Sequence, residues 1–221
     1  MLCFSAYLLR QKDHKQLSRF FILDLTCTLI ISIGVLLQVI FTNLFNINPF
    51  IFEKFIYIGT CFFPVCFLLT SSIFINTKLV LTTKHKLLFV IPLISLLILW
   101  TNDYHHLFYK FYSIDFGPYF YIHTLYSYSC ILIAIFRLIL YSIKNSGFFS
   151  KQSLLICTGS GICLAMNILS TLGILNSSIY TTPIAFTVAI LFIALAIFKF
   201  DFLKVTPIAL QRVVDRMSDG Y

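Results

Sequence analysis

Residues 87–109 read "LLFVIPLISLLILWTNDYHHLFY", and the polarity of the chain changes abruptly within them. The run up to Trp100 is almost purely apolar, whereas residues 101–106 crowd two histidines, an aspartate and an asparagine into a turn and a half. A helix of about 20 apolar residues crosses a bilayer. The stretch therefore predicts the end of a membrane-spanning helix, with polar groups where the helix leaves the hydrocarbon.

The composition of the whole chain agrees with this interpretation. The 221 residues are 59% hydrophobic and only 11% charged, whereas soluble domains carry about 25% charged residues. A soluble fold of this size cannot bury such an apolar surplus, so the chain is predicted to be an integral membrane protein. The net charge of +8 is attributed to membrane topology, and no nucleic-acid partner is expected.

The apolar runs predict an all-α, polytopic helix bundle over residues 1–199. Measured against the length of a spanning helix, six full spans are expected, at residues 20–42, 53–75, 86–101, 118–141, 152–174 and 180–199. The N-terminal run "MLCFSAYLL" is too short to span and lacks the basic start and cleavage site of a signal peptide. We expect it to be the end of a partial first helix.

The basic residues predict the orientation of the bundle. Of the 16 Lys and Arg residues, all except Lys54 and Lys110 fall on one alternate set of connections. Because Lys and Arg collect on the cytoplasmic side, both ends of this chain are expected in the cytoplasm. The connections at 43–52, 102–117 and 175–179 then face outward.

Few polar side chains fall inside the predicted spans. Asp24 lies about one turn inside the cytoplasmic end of its span, where it is expected to act as an interfacial anchor. Gln38 and Asn167 are expected to form hydrogen bonds between helices, and the Gly161-x-x-x-Ala165 pattern is expected to form a close-packing face. The scarcity of intramembrane Asp, Glu and Arg argues against a proton- or sodium-coupled transporter.

Polar and aromatic residues instead concentrate in residues 100–129, on the expected outer side. This segment contains seven tyrosines and the polar residues Asn102, Asp103, His105, His106, Asp115 and His123. In a helix, His123, Tyr126 and Cys130 would share one face, with Tyr119 one turn away. If the third span continued outward, Thr101, His105 and Phe108 would align in the same way, and the two faces could meet.

Three interpretations of this outer segment remain open. It could be an aromatic belt with polar caps, because Tyr and Trp are enriched at membrane interfaces. It could be a ligand pocket in which His and Asn provide hydrogen bonds. It could be a metal site formed by His105, His106, His123 and Asp103, although adjacent histidines point in different directions on a helix. No cofactor is expected, and no paired nucleophile and base indicates catalysis.

The segment after the last span predicts a short cytoplasmic connector, residues 200–221. Thr206 and Pro207 form a helix start, because a capping residue precedes a proline in the first turn. An apolar stripe follows at helical spacing, consisting of Leu210, Val213, Val214 and Met217. A stripe this narrow suits a coiled-coil partner, which would make the protein a homodimer. The final "SDGY" predicts a turn.

Three motifs together resemble the N-terminal seven-transmembrane region of bacterial sensor histidine kinases. The first is Thr101, Asn102 and His105 in "TNDYH". The second runs from Gly117 in "GPYFYIHTLYSYS", with Pro118, Phe120, His123, Tyr126 and Tyr128. The third is "PIALQRVVDRMSDG", with Pro207, Ala209, Val213, Met217, Asp219 and Gly220. The likeness covers nearly the whole chain, but only "MLCFSAYLL" corresponds to the family's first helix.

The resemblance implies a sensor domain in the bacterial plasma membrane that passes its signal to a PAS or kinase module. The chain itself is not expected to be an enzyme, because it has no phosphoacceptor histidine box and no ATP-binding glycine motif. The expected ligand is small or lipid-like and binds near the outer leaflet. Expected ligand contacts are Asn102, His105, His123, Tyr126 and Tyr128, and expected relay residues are Pro207, Leu210, Val213, Val214 and Met217. The alternatives are a small transporter or channel, and a degenerate paralogue without a ligand.

Overall fold

Long apolar runs form helices, because a helix satisfies its own backbone hydrogen bonds in an apolar medium. The computed structural model describes residues 15–76, 80, 82–110, 116–145, 148–174 and 181–200. The described helices are α1 (Lys15–Phe45), α2 (Phe50–Asn76), α3 (Thr83–Leu87), α4 (Val90–Trp100), α5 (Asn102–His105), α6 (Pro118–Lys144), α7 (Phe148–Thr171) and α8 (Thr181–Phe200). The predicted connector at residues 200–221, including all five relay residues, lies outside the described part except for Phe200.

The all-helical, membrane-embedded class predicted from the sequence is confirmed. Within the described residues, five segments are long and apolar enough to cross a membrane: Gln16–Phe45, Phe50–Asn76, Thr83–Trp100, Pro118–Lys144 and Ser150–Thr171. The sixth predicted span, 180–199, falls on α8, whose described apolar part covers Ile184–Ile193. The predicted span 152–174 extends past the end of α7, since the chain turns at Leu172 and Gly173.

The third predicted span is not one straight helix. A turn at Leu88 and Phe89 separates α3 from α4. Beyond Trp100, only the single turn of α5 follows, and His106 then adopts a left-handed conformation with φ of 52°. The expected helical alignment of Phe108 with Thr101 and His105 is therefore wrong, because the helix ends before Phe108.

α2 is the central helix of the bundle. It packs along α1, α4 and α6, while α7 packs along α6 and α8. Most of α2 is buried, whereas most of the surface of α4, α6 and α7 faces away from the bundle. A Cβ atom at Gly59 would collide with the carbonyl oxygen of Cys27, so this glycine allows α1 and α2 to approach closely.

The small-residue pattern in α7 packs differently from the expectation. A Cβ atom added at Gly161 would meet no atom within 4 Å, and Ala165 is exposed. The close approach is instead at Gly159, where an added Cβ would lie 2.6 Å from Cβ of Phe192 in α8. Among the described residues the predicted Gly161–Ala165 packing face is therefore wrong, because that face of α7 points away from the other described helices.

Candidate ligand site

The loop of residues 101–110, with residues 116 and 117, folds over one end of the bundle, called here the 101–117 end. Asn102 holds its first half in place and is only 2% exposed. Its side-chain Oδ1 accepts hydrogen bonds from the backbone N–H groups of Phe108 at 2.8 Å and Tyr109 at 3.1 Å, and its Nδ2 donates to the carbonyl oxygen of Tyr109 at 3.1 Å. The Asn102 amide thus fixes the loop rather than facing an open space.

His105 also serves this loop. Its Nδ1 accepts a hydrogen bond from the backbone N–H of Leu107 at 3.1 Å, and its Nε2 lies 3.0 Å from Oγ1 of Thr101. The Thr101 hydroxyl donates to the carbonyl oxygen of Leu97 at 2.7 Å, so it accepts from Nε2–H of His105. Both ring nitrogens are therefore used in stabilising the turn between α4 and the loop.

Two aromatic residues, Phe108 and Tyr109, follow Asn102 and His105 in the loop and pack into the bundle. Phe108 is fully buried, and its ring centroid lies 5.1 Å from that of Tyr57, 5.8 Å from Phe120 and 5.8 Å from His123. The hydroxyl of Tyr109 donates to the hydroxyl of Tyr57 at 3.0 Å. Burial raises the pKa of Tyr109 well above its usual value, so its phenol stays neutral and can donate.

Tyr57, Phe120 and His123, which pack against Phe108, also line a polar cavity of about 210 Å³ between α1, α2, α6 and α7. Each of the four helices contributes hydrogen-bonding side chains to its wall, including Gln38, Glu53, His123, Ser127, Tyr128 and Asn167. Concave sites with a few converging polar groups are the usual form of small-molecule binding sites. The cavity is therefore the candidate ligand site.

His123 connects the cavity wall to α4. Its Nδ1 lies 3.1 Å from Oγ of Ser95, which also lies 3.2 Å from the hydroxyl of Tyr119. The Ser95 hydroxyl donates to the carbonyl oxygen of Ile91 at 2.8 Å. Ser95 therefore accepts from Nδ1–H of His123, which leaves Nε2 of the neutral imidazole as a hydrogen-bond acceptor.

Only two of the five predicted ligand contacts, His123 and Tyr128, line this cavity. The Tyr128 hydroxyl lies 2.9 Å from Oγ1 of Thr171. Asn102 and His105 bind the loop as described above. The Tyr126 hydroxyl donates to the carbonyl oxygen of Leu88 at 2.6 Å, at the turn between α3 and α4, so it stabilises that break in the third span.

Sequence reasoning missed Glu53, a carboxylate of the cavity wall in the first turn of α2. Its Oε1 accepts a hydrogen bond from Nε2 of Gln38 at 3.2 Å, which joins α1 to α2. Asn167, another residue of the cavity wall, donates a hydrogen bond from Nδ2 to the carbonyl oxygen of Cys163 in its own helix at 2.8 Å. The sequence feature that could have identified Glu53 is an acidic residue within an otherwise apolar span.

The position of Asp24 differs from the predicted one at the membrane interface. It is 5% exposed, and its Oδ2 accepts a hydrogen bond of 2.6 Å from the hydroxyl of Thr70 in α2. It borders a small cavity of about 20 Å³. The prediction of an interfacial anchor is wrong, because the side chain faces α2 inside the bundle instead of reaching the surface.

The metal interpretation has no support in the described part of the chain. No group of three or more His, Cys, Asp or Glu side chains comes close enough there to hold a metal ion. His105 binds Thr101 and Leu107, and His123 binds Ser95. Asp103 forms an ion pair of 2.8 Å with Lys54. These candidate ligands are engaged separately.

Comparison with known proteins identifies one family. The family model described as the N-terminal 7TM region of histidine kinase matches residues 1–207. No match was found among the curated proteins or among the solved structures. The match covers all the described helices, including the four that surround the polar cavity.

Proposed function

Because the chain belongs to the N-terminal seven-transmembrane region of histidine kinases, we propose that its polar cavity receives the ligand of a membrane signal-input domain. This region is the sensory part of such kinases, and no catalytic domain is found in this chain. The observation that carries the proposal is the convergence of polar side chains from four helices on one cavity. A ligand there contacts α1, α2, α6 and α7 at once.

The charge distribution supports an outward-facing site. The cavity lies near the end of the bundle where Lys54, in the first turns of α2, and Lys110 are found, whereas the other basic residues fall near the opposite end by the sequence assignment. By the positive-inside rule, the 101–117 end faces outward and the chain lies in the bacterial plasma membrane with both ends in the cytoplasm. A small or lipid-like ligand then reaches the cavity from the outer leaflet.

The proposed relay runs along the last helix. α8 packs against α7, and α7 contributes Asn167 and Thr171 to the cavity wall. A ligand that binds one packing of these helices more tightly than the other shifts the population between them. The shift passes through residues 207–217 to a kinase or PAS module, with those residues paired in a homodimer.

The test is His123→Ala in a fusion of this chain to a histidine kinase module. We expect altered kinase output with normal membrane insertion, because the substitution enlarges the cavity and removes the bond to Ser95. Tyr121→Ala is the matched control, since Tyr121 belongs to the same helix turn but is 59% exposed. Unchanged autophosphorylation in the His123→Ala fusion would contradict the proposal.

A second candidate is a degenerate paralogue that binds no ligand. The observation that favours it is the burial of His123, which is only 3% exposed and already hydrogen-bonded to Ser95. In that case His123→Ala lowers thermal stability and leaves the kinase output at its constitutive level. Measuring stability and output on the same fusion separates the two functions.

A further inference from the structure

The wall of the polar cavity contains hydrogen-bond acceptors that a ligand could use. Oε1 of Gln38 and Oγ of Ser127 are buried and have no hydrogen-bond partner among the described residues. Gln38 itself is 1% exposed. Buried polar atoms normally have partners, and the Gln38 oxygen can only accept. Nε2 of His123 is a further acceptor, so a ligand that donates several hydrogen bonds would satisfy this wall.

The cavity wall also contains a carboxylate, Glu53, that forms no ion pair with a described residue. Glu53 accepts a hydrogen bond from Nε2 of Gln38 and lies close to the hydroxyl of Tyr109, and both of these side chains are neutral. The ion pair found within the described residues joins Lys54 to Asp103, outside the cavity wall. Glu53 is half-buried, and the hydrogen bonds of an ammonium–carboxylate pair are stronger than those between neutral groups. A cationic group on the ligand would provide that pairing.

Aromatic rings complete the surroundings of Glu53. Tyr57, Phe116, Phe120 and Tyr128 all belong to the cavity wall. Aromatic faces attract ammonium groups, and the attraction grows when the cation is desolvated. The rings therefore favour the same ligand chemistry as the carboxylate and the acceptor oxygens.

A second cavity of about 70 Å³ adjoins the first. The two share the wall residues Thr60, Ser127, Tyr128 and Asn167. The rest of the smaller cavity is mainly apolar and includes Phe63, Phe186, Ala189 and Ile193. A molecule with a polar head and an apolar tail would occupy both cavities at once.

We propose that the ligand is a small amphiphilic amine, with its ammonium group against Glu53 in the polar cavity and its apolar tail in the adjoining cavity. The proposal rests on the proposed function, since it takes the polar cavity to be the ligand site. The ammonium group could belong to a soluble alkylamine or to the headgroup of an ethanolamine lipid, because both present the same donors to Glu53.

The test compares hexylamine, hexanol and hexanoate on the full chain purified in a neutral maltoside detergent. Thermal unfolding and calorimetric titration measure the binding of each compound. We expect hexylamine to bind most tightly and hexanoate least. From propylamine to hexylamine, affinity should rise by up to about fourfold per methylene until the apolar cavity is filled.

Three variants locate the site. Glu53→Gln should weaken hexylamine binding by about 10- to 100-fold, since a hydrogen bond to a charged group is lost, and should abolish the preference over hexanol. Asp103→Asn is the matched control, because this carboxylate lies outside the cavity wall and should leave binding unchanged. Ala189→Leu should remove the dependence on tail length and preserve propylamine binding, so it tests the proposal independently of Glu53.

The source of the ammonium group is tested in nanodiscs. Stabilisation by phosphatidylethanolamine relative to phosphatidylglycerol, lost in Glu53→Gln, would assign the amine to a lipid headgroup. Stabilisation only by added hexylamine would assign it to a soluble amine. Equal binding of the three hexyl compounds, hexylamine preference that persists in Glu53→Gln, or no binding at all would overturn the proposal.

The two proposals fail in distinguishable ways. If no amine binds but His123→Ala still alters the kinase output, the ligand class is wrong and the sensory role stands. If hexylamine binds in a Glu53-dependent manner but neither hexylamine nor His123→Ala changes the output, the cavity binds an amine without serving as the signal input.

Discussion

The polar cavity and the Asp24 cavity both have a carboxyl group in their wall, yet Glu53 is half-buried and Asp24 is buried, and the two cavities differ in size and lining. The polar cavity has a volume of about 210 Å³ and is lined by side chains from four helices. The Asp24 cavity has about 20 Å³ and is lined mainly by apolar side chains. A carboxyl group inside the bundle therefore does not by itself mark a ligand site; the space and the polar partners around it decide.

The region between the two cavities is apolar: the adjoining apolar cavity shares the wall residues Phe67 and Ile193 with the Asp24 cavity. Ile31 lies between Asp24 and Gln38 in α1, and Val65 lies between Glu53 and Thr70 in α2; both side chains are fully buried. A transporter would need a polar path between the two ends of the bundle. The apolar region argues for two local sites with different roles, one for a ligand and one for helix packing.

The largest expected effect is the loss of the Phe108 ring, which packs against three residues of the polar cavity wall. Phe108→Ala should lower the free energy of unfolding by about 3–5 kcal/mol, because a fully buried ring is replaced by a void. Chemical unfolding in detergent measures the change. Leu107→Ala is the control, since Leu107 is 41% exposed. Equal decreases in the free energy of unfolding of the two variants would show that the burial of Phe108 does not stabilise the fold as expected.

An intermediate effect is expected at the Asp24 cavity. Thr70→Val keeps the shape of the side chain but leaves Oδ2 of Asp24 without its partner, which should cost about 1–3 kcal/mol. Thr70→Ser retains a hydroxyl and should preserve most of the stability. Because this carboxyl group is interpreted as a packing element, Thr70→Val should leave hexylamine binding unchanged; a loss of binding would mean that the two cavities are coupled.

The sequence predicted the class of this protein well because composition and apolar length decide it. The four wall helices α1, α2, α6 and α7 all coincide with long apolar runs. The lengths of the apolar runs also predicted that the polar residues lie at the 101–117 end. It could not resolve the break at Leu88, since the run of apolar residues continues through the turn.

The site was harder to predict because it depends on which helices are neighbours. Glu53 and Gln38 come from helices that sequence reasoning did not connect with His123. Asn102 and His105 were chosen for their polarity, but the left-handed turn at His106 directs the chain back so that both bind the loop. Polarity along one segment shows where hydrogen bonds form; it does not show whether the partner is the backbone or a ligand.

The smallest expected effect concerns the exposed ion pair beside the polar cavity. Nζ of Lys54 lies 2.8 Å from Oδ2 of Asp103, and the two side chains are 27% and 45% exposed. Surface pairs of this kind contribute about 0–1 kcal/mol, so Asp103→Asn should change the free energy of unfolding by less than about 1 kcal/mol. Salt screens exposed charges, and the difference should disappear as the salt concentration rises. A salt-independent loss of several kcal/mol would instead make this pair part of the structure that holds the loop over the cavity.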